Sequence, residues 1–118
     1  MAAPTSEQIR QFIEKQIELW NAFDHDAFFA LYRDFCPGGF SFENPANSGI
    51  HKGWDALEAM WAQAAGKVRI DLHHLFVNGH EAASFVSNVF VDGDRPDIVT
   101  LETYHFNEDG SFHARYFQ

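Results

Sequence analysis

A single cysteine, Cys36, stands in 118 residues, so no disulfide can close within the chain. That suits a reducing compartment. Basic residues are scarce: eight Lys and Arg face seventeen Asp and Glu, a formal charge of −9. Nucleic-acid binding needs a basic face to displace counterions from phosphate, and anionic membranes need one too, so neither partner is expected. The acid excess favours a neutral or cationic ligand. No apolar run approaches the ~18 residues of a membrane span. The opening Met1-Ala2-Ala3-Pro4-Thr5-Ser6 lacks a basic stretch followed by an apolar core, so no secretory leader and a cytoplasmic location are expected. Repeats, low-complexity tracts and interdomain linkers are missing, and the length suits one domain, residues 1–118. Without a glycine-rich phosphate loop no organic cofactor is expected. The seven histidines fit no metal-site spacing, so no metal is expected.

Aromatics are abundant: thirteen Phe, three Trp and three Tyr. Such residues fill large volumes at low rotamer cost and line cavities as readily as cores. Phe12, Trp20, Phe28, Met60, Trp61, Phe85 and Phe106 are core or pocket wall, and sequence does not separate the two.

Ile9, Phe12, Ile13, Ile17 and Trp20 recur at helical spacing behind Ser6, a good cap, and predict a helix over about residues 6–21. Asp24 reads as the cap of a second helix carrying Ala27, Phe28, Leu31 and Tyr32. Pro37-Gly38-Gly39 breaks it. Phe40–Glu43 alternates like a short strand that stops at Asn44-Pro45, and Asn47-Ser48-Gly49 reads as loop. A third helix is predicted over about 54–65, closed by Gly66. The period then changes to two. Strands are predicted from Val68 to the Asn78-Gly79 turn, over Ala82–Val91, over Ile98–Phe106 and over Ser111–Phe117. Helices segregated from an antiparallel meander mean α+β. Helices laid across one face of a curved sheet enclose a cone, a natural small-molecule site.

Asp24-His25-Asp26 resembles a metal cluster, but Asp24 is the cap, Asp26 suits the helix dipole and His25 is expected to be exposed. Cys36 has no activating neighbour in sequence and reads as an inert thiol.

Three strings in order carry a family likeness. They are Trp20-Asn21-Ala22-Phe23-Asp24 with Phe29-Ala30-Leu31-Tyr32, Phe42-Glu43-Asn44-Pro45 with Ile50-His51-Lys52-Gly53-Trp54, and Tyr104-His105-Phe106-Asn107-Glu108-Asp109-Gly110. Over nearly its whole length the chain resembles the nuclear transport factor 2-like superfamily, on its SnoaL-like, ketosteroid isomerase-like branch. The resemblance implies a cystatin-like cone, a pocket for a small apolar or cyclic compound, and a homodimer. Ketosteroid isomerases move a proton with a carboxylate and hold the enolate oxygen with a tyrosine and a protonated acid. The base position falls on Asn44, an amide, and the tyrosine position on Gln16. The protonated acid falls on Glu102. Ordinary ketosteroid isomerisation is therefore not expected. An isomerase, cyclase or dehydratase working by proton transfer on a cyclic carbonyl compound is one reading. A non-catalytic binding module and a dimeric interaction module are the others.

Glu102 is the leading catalytic candidate: on the register that the resemblance implies, Thr100, Glu102 and Tyr104 point into the cone and Leu101 and Thr103 away. Burial there raises a carboxyl pKa, although an outward Glu is the plain alternative. Asn44 reads as a turn residue or as a hydrogen bonder in the pocket, and Glu43 should face away from it. His74 is placed on the inward face of Val68, Ile70, Leu72 and Phe76, opposite His73, where it reads as a hydrogen-bonded core residue or as an acid/base partner of Glu102. Gln16, Trp61, Phe85 and Tyr104 are the candidate ligand contacts. Arg115 either faces solvent or turns inward to Glu102 or a ligand carboxylate. An outer sheet face including His73, Val86, Asn88, Phe90, Val99 and Leu101 would carry the dimer. Asp94, Arg95 and Asp97 suggest a limonene-epoxide-hydrolase-like set only weakly, because a turn is the wrong place for a buried one.

Overall fold

The computed structural model describes residues 3–44 and 49–118. Pro45 and the predicted loop at Asn47-Ser48 lie outside these.

Helix α1 spans Ser6–Asn21, the predicted range. Its cap is Thr5 rather than Ser6. The Gln8 amide N–H donates to Thr5 Oγ1 (3.2 Å), and Thr5 N–H donates to Gln8 Oε1 (2.9 Å), a reciprocal capping box. Ser6 instead donates to Gly79 O at 3.1 Å, tying the helix start to a distant turn. Ile9, Phe12, Ile13, Ile17 and Trp20 form its buried stripe. Helix α2 spans His25–Phe35, with the Asp24 carboxylate accepting from Ala27 N–H at 3.2 Å. Helix α3 spans Gly53–Ala64.

The strands are β1 Gly39–Asn44, β2 Gly49–Lys52, β3 Val68–Asn78, β4 Glu81–Phe90, β5 Ile98–Phe106 and β6 Ser111–Phe117. They form one sheet ordered β2-β1-β6-β5-β4-β3. The meander β3–β6 is antiparallel throughout, whereas β1 joins β6 in parallel. Together these make the α+β, cystatin-like cone. Strand β2 was not foreseen. It is four exposed residues, too few to show a period, and pairing with β1 holds it in place.

At the other sheet edge, Asn21 substitutes for a missing strand. Its side chain donates to Ile70 O (2.8 Å) and accepts from Ile70 N–H (2.9 Å), which satisfies the edge and pins α1 to β3. Trp20 Nε1 adds a bond to Val68 O at 2.8 Å.

The register of β3 breaks between Leu72 and His74. This β-bulge places one extra residue on the strand, bends it and shifts the phase of every residue beyond it. Leu75 and Val77 therefore pack against the core, while Phe76 is 67% exposed. The prediction that His74 and Phe76 face inward is corrected for this reason. So is the prediction that His73 and His74 lie on opposite faces, since both rings approach Phe85 on the outer surface. No described helix is long and apolar enough to cross a membrane.

Candidate functional site

Between the helices and the inner sheet face lies a cavity of about 390 Å³. Its apolar wall comes from Ile17 and Trp20 of α1, Phe28 of α2, Met60 and Ala64 of α3, and Val68, Ile70, Phe90 and Ile98 of the sheet. Its polar groups are Gln16, Tyr32, Gln63, Asn88, Arg95, Thr100, Glu102, Tyr104, Tyr116 and Gln118. A larger hollow of about 530 Å³ lies along α1 where it meets Leu31 and Phe35 of α2. It is lined chiefly by exposed Gln8, Gln11, Glu14, Lys15 and Glu18 and gathers no buried polar group. The smaller cavity is therefore the candidate site.

Glu102 is placed there by two registers at once. Across β4–β5 it sits opposite Ser84, and across β5–β6 opposite Tyr116. Alternation along β5 puts Thr100 and Tyr104 on its side, both buried, and turns Val99 and Leu101 outward, both exposed. Tyr104 Oη donates to Glu102 Oε1 at 2.7 Å, and Ser84 Oγ to the same oxygen at 3.3 Å. Behind Tyr104 the chain continues: Gln16 Nε2 donates to Tyr104 Oη (3.3 Å), and Tyr32 Oη donates to Gln16 Oε1 (2.9 Å). Every bond in this series points toward the carboxyl. Both of its bonds fall on Oε1, so Oε2 receives neither. The Tyr116 hydroxyl, one strand away, has no hydrogen-bond partner among the described residues.

Burial pushes the Glu102 carboxyl above its ordinary range, and the bonds from Tyr104 and Ser84 partly oppose that rise. Burial likewise raises the phenols of Tyr32, Tyr104 and Tyr116 well above their usual value, with the Glu102 charge adding to each. All three stay protonated donors near neutral pH.

Of the residues picked from sequence, Glu102, Gln16 and Tyr104 meet in this cavity. Asn44 ends β1 on the face that carries Phe40 and Phe42, while Glu43 turns the other way. His74 is outside, through the bulge. Phe85 is also outside: it pairs with Leu101 on the outer face and is 40% exposed. Trp61 is buried one layer behind the wall, edge-on to Trp20 and stacked on Phe23 at 5.6 Å. Val86, Asn88 and Phe90 belong to the inner face, not the outer. Val86 sits opposite Thr100, and the cavity includes Asn88 and Phe90. Tyr32, Ser84 and Tyr116 carry no sequence signal that marks them as site residues. The aromatic pattern offered Tyr32 only as core, and the short last strand gave no phase for Tyr116.

Arg115 does not enter the cavity. It sits opposite Thr103 on the outer face, and its Nε donates to Glu43 Oε1 at 3.1 Å. His113 Nε2 lies 3.0 Å from the same oxygen, and His113 Nδ1 lies 2.6 Å from Ser41 Oγ. The His113 bond, then Arg115, holds the Glu43 carboxyl below its usual range. This serine, histidine and glutamate series resembles a nucleophile with its base. It lies on the outer face, away from the cavity just described, so it reads as a polar ladder across β1 and β6.

Elsewhere, His25 contacts Asp26 and Glu58, which raise its pKa, the Asp26 bond most. Cys36 is buried, with its thiol pushed up to about 12. Asp94, Arg95 and Asp97 are exposed in the β4–β5 connection. Among the described residues no group of three His, Cys, Asp or Glu could hold a metal ion.

The profile of a family described as the SnoaL-like domain matches residues 10–114. No curated protein matches the chain. Among solved structures, an NTF2-like protein from Mesorhizobium loti is 21% identical with a TM-score of 0.72, covering 95% of this chain and 91% of that one. An NTF-2 like protein from Burkholderia xenovorans LB400 is 15% identical with a TM-score of 0.74, covering 94% and 82%. The epoxide hydrolase/cyclase-like enzyme SalBIII, of pyran ring formation in the polyether salinomycin, is 14% identical with a TM-score of 0.67, covering 92% and 90%. At these identities the likeness is one of fold.

Proposed function

The chain belongs to the SnoaL-like domain family, and from that premise we propose that its cavity binds a small, mainly apolar carbonyl compound on which Glu102 moves a proton. The observation that carries this reading is a buried carboxyl bonded, among the described residues, through one oxygen only, beside a tyrosine hydroxyl with no partner among those residues. The Tyr116 O–H donates to the ligand's carbonyl oxygen. Ionised Glu102 takes the proton from the adjacent carbon, and the C–H electron pair passes into the enolate, whose oxygen Tyr116 holds. The same carboxyl then returns its proton, to that carbon or to a conjugated one. Burial makes the carboxylate a stronger base than an exposed Glu and places its ionisation closer to neutral pH. Tyr104, Gln16 and Tyr32 are positioning residues in this scheme, because their bonds aim the carboxyl. This reading gives both proton steps to Glu102, since the described lining holds no second carboxylate and no histidine.

The SalBIII likeness is compatible with a ring-forming variant of the same proton transfer. The test is deuterium uptake by β-tetralone in D2O, followed by NMR. Exchange should run faster than in buffer, vanish in Glu102→Gln and slow about 10²-fold or more in Tyr116→Phe. Binding of the ketone with no exchange above buffer would instead identify a binding module.

A further inference from the structure

We infer that the ligand of this cavity is two-ended, carrying a carbonyl at Glu102 and Tyr116 and a carboxylate at Arg95. This rests on the proposed use of the cavity and names the ligand class. Along β5 the lining runs Glu102, Thr100, Ile98, so the strand carries the cavity about 13 Å from the carboxyl at strand rise. Arg95 lies beyond Ile98, exposed at the mouth. Its guanidinium carbon sits 4.3 Å from the centroid of Phe90, another lining residue, which holds it over the opening.

The Asn88 and Gln118 amides near that end already donate within the protein. Asn88 Nδ2 donates to Ile98 O (2.9 Å) and Thr100 Oγ1 (2.8 Å), and Gln118 Nε2 donates to Thr100 Oγ1 (3.3 Å). Arg33, Arg69 and Arg115 each have a carboxylate within reach. Arg95, like Arg10 on α1, has none among the described residues, although Asp92, Asp94 and Asp97 flank it in sequence; of the two only Arg95 lines the cavity. Its planar fork of donors is therefore free to face the opening, and a carboxylate is the group such a fork fits. The chain's charge of −9 disfavours anions at long range. Near physiological salt the screening length is about 8 Å, so the local donor governs the bound state. The preference for a neutral or cationic ligand read from net charge gives way here to that placement.

The test compares Kd values, by calorimetry, for 12-oxotridecanoate, for its methyl ester and for the short 5-oxohexanoate. The long acid should bind roughly fivefold tighter than its ester, the scale of one solvent-exposed ion pair. Arg95→Gln should erase that preference, Arg95→Lys should keep most of it, and added salt should shrink it. The short acid, which cannot reach both ends, should bind at least tenfold more weakly than the long one. Equal binding of long acid and ester, or a preference that survives Arg95→Gln, overturns the anion end while leaving the carbonyl reading intact. Failure of every probe to bind the wild type sinks both together.

Discussion

At the residue scale, Glu102 titrates among donors that oppose its burial, and this produces a pH signature. Its folded pKa lies above the ordinary 4.5, so between the two values the native state keeps a proton that the unfolded chain has lost. Stability must therefore fall as pH rises through that window and level off above it. Glu102→Gln lacks this term. Chemical denaturation across pH should show the variant gaining on wild type through the window, and a constant difference would contradict the burial. Tyr104→Phe removes the shorter bond to the carboxylate. It should raise the Glu102 pKa further, seen in the carboxyl carbon titration by NMR, and destabilise by about 1–3 kcal/mol. Glu43 has the opposite sign. Its lowered pKa contributes stability above its ordinary range that is lost as pH falls through the folded value. Alternation along β5 put Glu102 and Tyr104 on one face, and the family resemblance was what marked that face as inward. Arg115 was not, since the phase of the short β6 is set by pairing rather than by its own pattern.

At the scale of elements, boundaries that depend on local chemistry were readable. Asp24 caps α2 as expected, and Asp24→Ala should cost about 1 kcal/mol in thermal unfolding. The change of period at Val68 announced the meander. Two features escaped because nothing local encodes them. Strand β2 exists through its neighbour, and the β3 bulge arises where strand pairing, not sequence alternation, decides the phase. The bulge moved His74 from candidate catalyst to outer surface. Gly38 shows a different constraint. A Cβ there would run into Asp109 O in the β5–β6 connection and lie 2.7 Å from Ser111 N at the start of β6, both backbone atoms. Gly38→Ala should therefore cost about 1–3 kcal/mol or more, and a melting temperature equal to wild type would show that the two turns separate easily.

For the whole molecule, the outer sheet face is the surface left to explain. Phe76, Phe85, Val99, Leu101 and Phe117 are all exposed there, and the Glu43–Arg115 pair carries both signs beside them. A self-complementary patch of this kind suits a two-fold contact between copies. Sedimentation should find a dimer at micromolar concentration that Leu101→Glu converts to a monomer with unchanged ligand affinity. A monomeric wild type would leave the patch unaccounted for. Spacing along single stretches of chain was enough for the helices, the meander and the α+β class, because apolar periodicity is a local property. The inward side of Glu102 came instead from the register that the family resemblance implies. It took the folded chain to bring Tyr116 and Ser84 beside that carboxyl, to line up Gln16 and Tyr32 behind Tyr104, and to turn His74, Phe85 and Arg115 away. Those outcomes depend on strand register and on one extra residue in β3, and both are settled by pairing between segments distant in sequence.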